Sequence, residues 1–173
     1  MVPEAELDTA TRAAFDDAIT CYVYANSHIL VYPIPSVEGS VTPGERLINW
    51  VWYRNYLHGS DLDDVLTDAS GQRREISLPP GAASERHIAE VHATAGARLP
   101  PPHARLVRAT AQPFLQVIYD IEVPQMAFER VCLLGDSAFA ARPHAAAGTS
   151  KAAADGWALY DAFKASGIAI SEA

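Results

Sequence analysis

Three runs of β-branched and aromatic residues in quick succession constrain this chain more than any other feature. Thr20-Cys21-Tyr22-Val23-Tyr24 and His28-Ile29-Leu30-Val31-Tyr32 flank Asn26-Ser27, which reads as a β-hairpin. A third run, Arg46 through Tyr53, follows a loop holding Pro35, Gly39, Pro43 and Gly44. Those are turn residues, so the loop belongs on the surface. Strands that follow one another through such short connections predict an antiparallel meander.

Helical signals surround the meander. Asp8 or Thr9 can cap a short helix ahead of the first strand. Asp61-Leu62-Asp63-Asp64 places acid in a first turn, where the helix dipole favours it. Ser84 precedes a segment in which Ile88 and Val91 keep helical spacing. Pro100-Pro101-Pro102 ends that helix and presets φ for the next, around Ala104 to Thr110. Strands are expected again at Phe114 to Glu122 and Arg130 to Leu134. A final helix runs from about Ala147 to Ala165, with Ala153, Trp157, Tyr160 and Lys164 on one stripe and Gly167 as its stop. The fold class is therefore α+β: an antiparallel sheet with helices on one side, then a closing strand-loop-helix unit.

Several function classes drop out. A net charge of −8 lacks the basic face a general nucleic-acid binder needs. No run of apolar residues approaches a membrane span, and the opening residues lack the basic and apolar regions of a secretory signal. A soluble, cytoplasmic protein is expected. Cys21 and Cys132 lie in apolar runs, which predicts buried reduced thiols. No His and carboxylate spacing suggests a metal centre, and His87, His92 and His103 read as solvated positions on amphipathic helices. G-x-S-x-G is absent.

The closing unit carries the chemical signal. Val131-Cys132-Leu133-Leu134 is a continuous apolar run, as in a strand covered on both faces. It ends in Gly135-Asp136, and a small-residue loop then enters a helix near Gly148. A carboxylate at a strand end can accept from a ligand hydroxyl, and the helix mouth offers unpaired N–H groups. Ala145, Ala146, Ala147 and Gly148 would let a flat ligand approach the backbone. A Gly-Asp pair after a strand is also an ordinary turn, and both readings stand on the residues alone.

Gly135-Asp136-Ser137-Ala138, with Pro143, Gly148 and Asp155 at fixed spacing, resembles the second FAD-contact motif of the flavoprotein aromatic hydroxylases. Arg142 to Thr149, and Ile29 to Pro35, resemble the branch of 2,6-dihydroxypyridine 3-hydroxylase-like enzymes. The resemblance runs from about Thr20 to Phe163. Phe139, Ala146 and Ser150 depart from the wider family, which often has His, Gly and Asn there. The first and third departures suit the dihydroxypyridine branch. No G-x-G-x-x-G opens a βαβ unit, and the family's middle Asp-Gly motif is missing. The chain thus resembles the C-terminal portion of such an enzyme: residues 1–128 as substrate-binding domain, and 129–173 as the strand-loop-helix part of a Rossmann-like FAD-binding domain.

This resemblance implies FAD as cofactor, NAD(P)H as co-substrate, and hydroxylation of a hydroxylated pyridine or phenol with O₂. Asp136 would accept from a ribityl hydroxyl. Gly135 would belong to the same cofactor contact, the backbone N–H groups of Ala147, Gly148, Thr149 and Ser150 would face the flavin, and Pro143 would shape the loop beneath it or merely start the helix. On the sheet, His28 and Tyr32 share a face by period-two alternation. Either could bond or deprotonate a ring hydroxyl, although packing or a surface position would also account for them. Trp50 and Trp52 share a face as packing residues, and His144 could line the pocket. The implied partners are a small aromatic substrate and a missing N-terminal half or a homodimer partner. The rival is a truncated, non-catalytic relative that binds a small aromatic ligand or a protein, and a truncated gene model is a third reading. If the other half is missing, apolar surface on the last helix and on Val131 to Leu134 should stand exposed.

Overall fold

The structure is a computed structural model that describes residues 1–143 and 147–167. It divides into two compact units, Met1–Gln116 and Val117–Ala173.

In the first unit the expected hairpin forms between β2 (Thr20–Tyr24) and β3 (Ser27–Ile34). Tyr24 pairs with Ser27, so the turn is Ala25-Asn26, and Asn26 takes φ +61°, a left-handed conformation that asparagine tolerates. β4 (Leu47–Tyr53) lies antiparallel to β3, in a register that sets His28 opposite Tyr53 and Tyr32 opposite Asn49. The sequence pattern does not announce β1 (Val2–Pro3), which pairs with β4 and completes the order β1-β4-β3-β2.

A buried ion pair fixes that N-terminal edge. Glu4 accepts from Arg46 Nε at 3.0 Å, from Nη2 at 3.1 Å and from the Gly44 N–H at 2.8 Å. Arg46 also bonds Asp16 and Asp17. The guanidinium hydrogen bond holds the Glu4 carboxyl below its usual range. With every oxygen of Glu4 engaged, the cost of burying the charge is offset locally.

Helices cover one face of the sheet. Asp8 caps α1 (Thr9–Ala13), accepting the Thr11 N–H at 2.9 Å. α2 spans Ser60–Val65. Ser84 caps α3 (Glu85–Arg98), and α4 (Pro101–Ala109) starts on prolines that need no N–H there. Their residues Ala95, Leu99, Ala104, Leu106 and Val107 form one core with Phe15, Ile29, Val31 and Ile48, against which Tyr22, Tyr24, Trp50 and Trp52 pack. Trp50 Nε1 donates to Thr110 Oγ1 at 2.9 Å and Trp52 Nε1 to Ser27 Oγ at 3.0 Å, so both indoles keep a partner in their packing role.

Three histidine expectations need correction. His103 is half-buried, edge-on to Phe15 with ring centroids 5.0 Å apart. Among the described residues neither of its ring nitrogens has a hydrogen-bond partner, nor has His92 Nε2. His87 bonds Asp64 at 3.0 Å and Ser84 at 2.9 Å. These helices pack against one another and the sheet, so positions that look solvated on a helical wheel turn inward.

Strand structure is scarce after α4. In place of a strand from Phe114 to Glu122 there are β5 (Ser77–Leu78) pairing with β6 (Leu115–Gln116), and later β7 (Ile121–Glu122). Val131 to Leu134 is likewise reduced: β8 (Ala127–Phe128) pairs with β9 (Val131–Cys132) through a turn in which Glu129 takes φ +50°. Val131 is exposed, and so are Cys21 and Cys132, contrary to the expected buried thiols. Cys21 lies on the edge strand facing away from the core. The hairpin β8–β9 has too few neighbours to cover Cys132. β10 (Phe139–Ala140) pairs with β7, and α5 (Gly148–Ser166) ends at Gly167 with φ +66°, as expected of its stop.

Candidate functional site

Alternation along the strands sorts residues between two faces of the first unit's sheet. Ile29 and Val31 enter the core, so His28, Leu30 and Tyr32 point the other way. Register adds Asn49, Val51 and Tyr53 from β4 and Cys21 and Val23 from β2. None of these residues is buried. The face is a strip of apolar side chains with polar groups at intervals, suited to a flat ring bearing hydroxyls.

His28 and Tyr32 do share this face. The His28 ring stacks on Tyr53, with centroids 4.3 Å apart and planes 20° from parallel. Burial raises the Tyr53 phenol above its ordinary value, and the nearby Tyr32 phenol adds to the rise. Tyr53 and Asn49 were missed by the sequence reading. Their signal was the β3–β4 register, which is hidden behind the intervening loop. Two surface clefts of about 350 and 480 Å³ lie elsewhere in this unit, the first around Glu4 and Arg12, the second around Arg54 and Arg98. Neither includes His28 or Tyr32.

The second set of residues lies in the second unit. Gly135 opens a 3-10 turn, Gly135–Ser137, with φ +58°. An added Cβ would meet Ala152 Cβ of α5 at 3.2 Å, so glycine serves both the left-handed backbone and the close helix approach. Asp155, on α5, accepts the Gly135 N–H at 3.0 Å and the Lys151 ammonium at 2.6 Å. Lys151 reaches the Gly135 carbonyl at 3.4 Å and lies over the Phe139 ring at 5.6 Å. Lys151 first, then the Gly135 N–H, holds the Asp155 carboxyl below its usual range. Lys151 was not anticipated, although its i, i+4 spacing to Asp155 was readable.

That clip leaves Asp136 pointing outward. Its carboxylate is exposed, and no hydrogen bond or ion pair to another described residue engages it. α5 begins after Ala147 with no side-chain cap; Gly148, Thr149 and Ser150 are exposed, and a Cβ on Gly148 would meet nothing within 4 Å. The Ser150 hydroxyl donates back to the Ala147 carbonyl at 3.0 Å, which leaves the backbone amides as the donors of this helix mouth. Pro143 is exposed. His144, Ala145 and Ala146 lie outside the described residues. Among the described residues no helix is long and apolar enough to cross a membrane, and no three His, Cys, Asp or Glu side chains gather as a metal site.

Comparison with known proteins gives these features a context. Residues 1–120 match the model of the FAD binding domain-like family. A 2,6-dihydroxypyridine 3-monooxygenase of Paenarthrobacter nicotinovorans is 36% identical over 149 residues, which make up 86% of this chain and 36% of that protein. The solved structure of 2,6-dihydroxypyridine-3-hydroxylase from Arthrobacter nicotinovorans matches with a TM-score of 0.81 at 33% identity, covering 91% of this chain and 39% of that one. The chain thus spans little more than a third of either relative.

Proposed function

Because this chain belongs to the FAD binding domain-like family, we propose that it is the substrate-binding and partial flavin-binding portion of an FAD-dependent aromatic monooxygenase. Its substrate would be a hydroxylated pyridine or phenol, the class to which the substrate named for both relatives belongs. NAD(P)H would be the co-substrate, and the setting cytoplasmic. The observation that carries the reading is the Gly135–Asp136 turn, clipped to α5 so that an unengaged carboxylate stands outward.

The residues fit such a cofactor. Asp136 would accept from a sugar-alcohol hydroxyl, a charge-assisted bond of about 1.5–3 kcal/mol. The uncapped mouth of α5, at Ala147, Gly148, Thr149 and Ser150, favours a negative ring edge by about 0.3–2 kcal/mol. Pro143 would shape the loop entering it. When bound, FAD supplies the activation of O₂ that ring hydroxylation requires.

The open sheet face supplies the rest. Leu30 and Val51 give a ring an apolar bed, while His28 or Tyr32 takes or holds a hydroxyl proton. Removing that proton pushes electron density into the ring that is to be oxidised. The nucleotide end of the cofactor would be bound by a separate nucleotide-binding portion, joined to this chain or supplied as a partner.

Coverage of little more than a third of each relative favours a second reading, a non-catalytic module binding a small aromatic ligand or a protein. Flavin titration separates the two. The chain supplemented with the nucleotide-binding part of its relative should quench FAD fluorescence and oxidise NAD(P)H when 2,6-dihydroxypyridine is added. Flavin binding with no NAD(P)H oxidation, across pyridines and phenols, would leave the module reading.

A further inference from the structure

We propose that Tyr53 is the positioning residue for His28, fixing the plane of the imidazole so that one ring nitrogen meets a ligand hydroxyl above Leu30 and Val51. The inference rests on the reading of this sheet face as the substrate floor. His28 and Tyr53 are direct partners across the β3–β4 ladder, and their rings lie nearly parallel at 4.3 Å. A histidine on a strand turns easily about χ2, a broad torsion without deep wells. A second ring at stacking distance removes that freedom, since tilting the imidazole gives up the contact.

A tyrosine is suited to this post. Burial and the Tyr32 phenol both raise its titration, so near neutral pH the ring beside His28 is uncharged and orients without pulling the imidazole towards an ion pair. Among the described residues of β2, β3 and β4, the other titratable groups on this face are Tyr32, on the same strand as His28, and Cys21, opposite Leu30 on β2. Trp50 and Trp52 of the same strand pack on the opposite, core side.

The test is an NMR titration of the full chain with 2,6-dihydroxypyridine, following the His28 C2–H signal across neutral pH in wild type, Tyr53→Phe and Tyr53→Leu. In wild type the ligand should shift the His28 signal, and binding should follow the His28 titration. Tyr53→Phe keeps the stack and should bind within about twofold of wild type, whereas Tyr53→Leu should bind about three- to tenfold more weakly. It should also lose the pH step. Indole fluorescence from Trp50 and Trp52 reports whether each variant has kept its core. Equal binding by Tyr53→Leu, with the His28 step intact, would overturn the positioning role and leave the substrate floor standing. A wild-type chain whose His28 signal never responds to the ligand would overturn the floor and, with it, this role. Ring-to-ring NOEs between His28 and Tyr53 in the wild-type complex give a check that needs no folded variant. They should persist on binding, and their loss would refute the proposal.

Discussion

The two units expose apolar side chains alike but differ in what they bury. In Met1–Gln116, Phe15, Ile29, Val31, Leu106 and Val107 are all fully buried, at 0% exposure. In Val117–Ala173 the described residues that reach burial are Gly135 and Ala138, neither with a large side chain. Trp157 is 70% exposed and Val131 60%, and Met126, Phe128 and Tyr160 are exposed as well. The first unit therefore draws its stability from its own interior. The second has apolar surface without an interior to put it in, held by an aspartate–lysine clip and two-residue ladders. Exposed apolar surface of this kind favours association, and the chain spans little more than a third of its relatives' length.

The sharpest way to break this contrast is a pair of truncations. Leu106→Ala should destabilise the first unit by about 2–5 kcal/mol, the cost of a cavity in a closed core. Trp157→Gln removes a larger side chain and should change stability by no more than about 0.5 kcal/mol, because nothing encloses it. Urea unfolding followed by Trp50 and Trp52 fluorescence checks Leu106→Ala, and amide exchange along α5 checks Trp157→Gln. A cost for Trp157→Gln approaching that of Leu106→Ala would show that the second unit has a working core. The same surface predicts self-association: light scattering should detect oligomers in wild type and fewer in Trp157→Gln.

The contrast also shows what was legible beforehand. Asp8, Ser84, Pro101 and Gly167 could be read as helix ends because each acts through backbone groups a few residues away. The meander was legible because alternation and turn chemistry are local, and the same alternation put His28 and Tyr32 on one face. β1 was not legible, since two residues carry no period and hold their place through β4 and the distant Glu4–Arg46 pair. Tyr53 was missed for the same reason: its position opposite His28 depends on a register set across a long loop. Val131 to Leu134 misled in the other direction. Its composition suits a doubly covered strand, but coverage comes from neighbours, and the two-residue β8 is its strand partner here. Asp136 and the small residues before α5 stood out through residue type and resemblance, while the hydrogen bond in which Asp155 accepts the Gly135 N–H, and which presents Asp136, joins residues twenty apart.

Within the second unit, glycines sharpen the comparison on a smaller scale. Gly135→Ala should cost about 1–2 kcal/mol, the penalty of a left-handed backbone for a residue with a Cβ, with the tight approach to Ala152 adding to it. Gly156, inside α5 with nothing within 4 Å of an added Cβ, should respond with the opposite sign, Gly156→Ala stabilising by about 0.5–1 kcal/mol. Amide exchange along α5 reads both. If Gly135→Ala left exchange unchanged, the turn would be an ordinary loop, and the presentation of Asp136 would lose its physical basis.

The mildest test alters a pH slope instead of a level, and it belongs to the first unit alone. Burial against Phe15 pushes the His103 titration below its usual 6.5. The folded chain therefore resists protonation at a position that the unfolded chain protonates freely. Above about 6.5 both states are neutral there and the histidine is silent. As pH falls below that value the unfolded state takes up the proton first, so stability declines until the folded-state value is passed and then levels off. His103→Gln keeps a polar side chain without a titration and should flatten this segment of the stability curve. Because His103 packs on core residues of Met1–Gln116, the urea midpoint reported by Trp50 and Trp52 should follow the slope. Amide exchange in α5 should not, and a matching slope there would mean that the two units unfold as one.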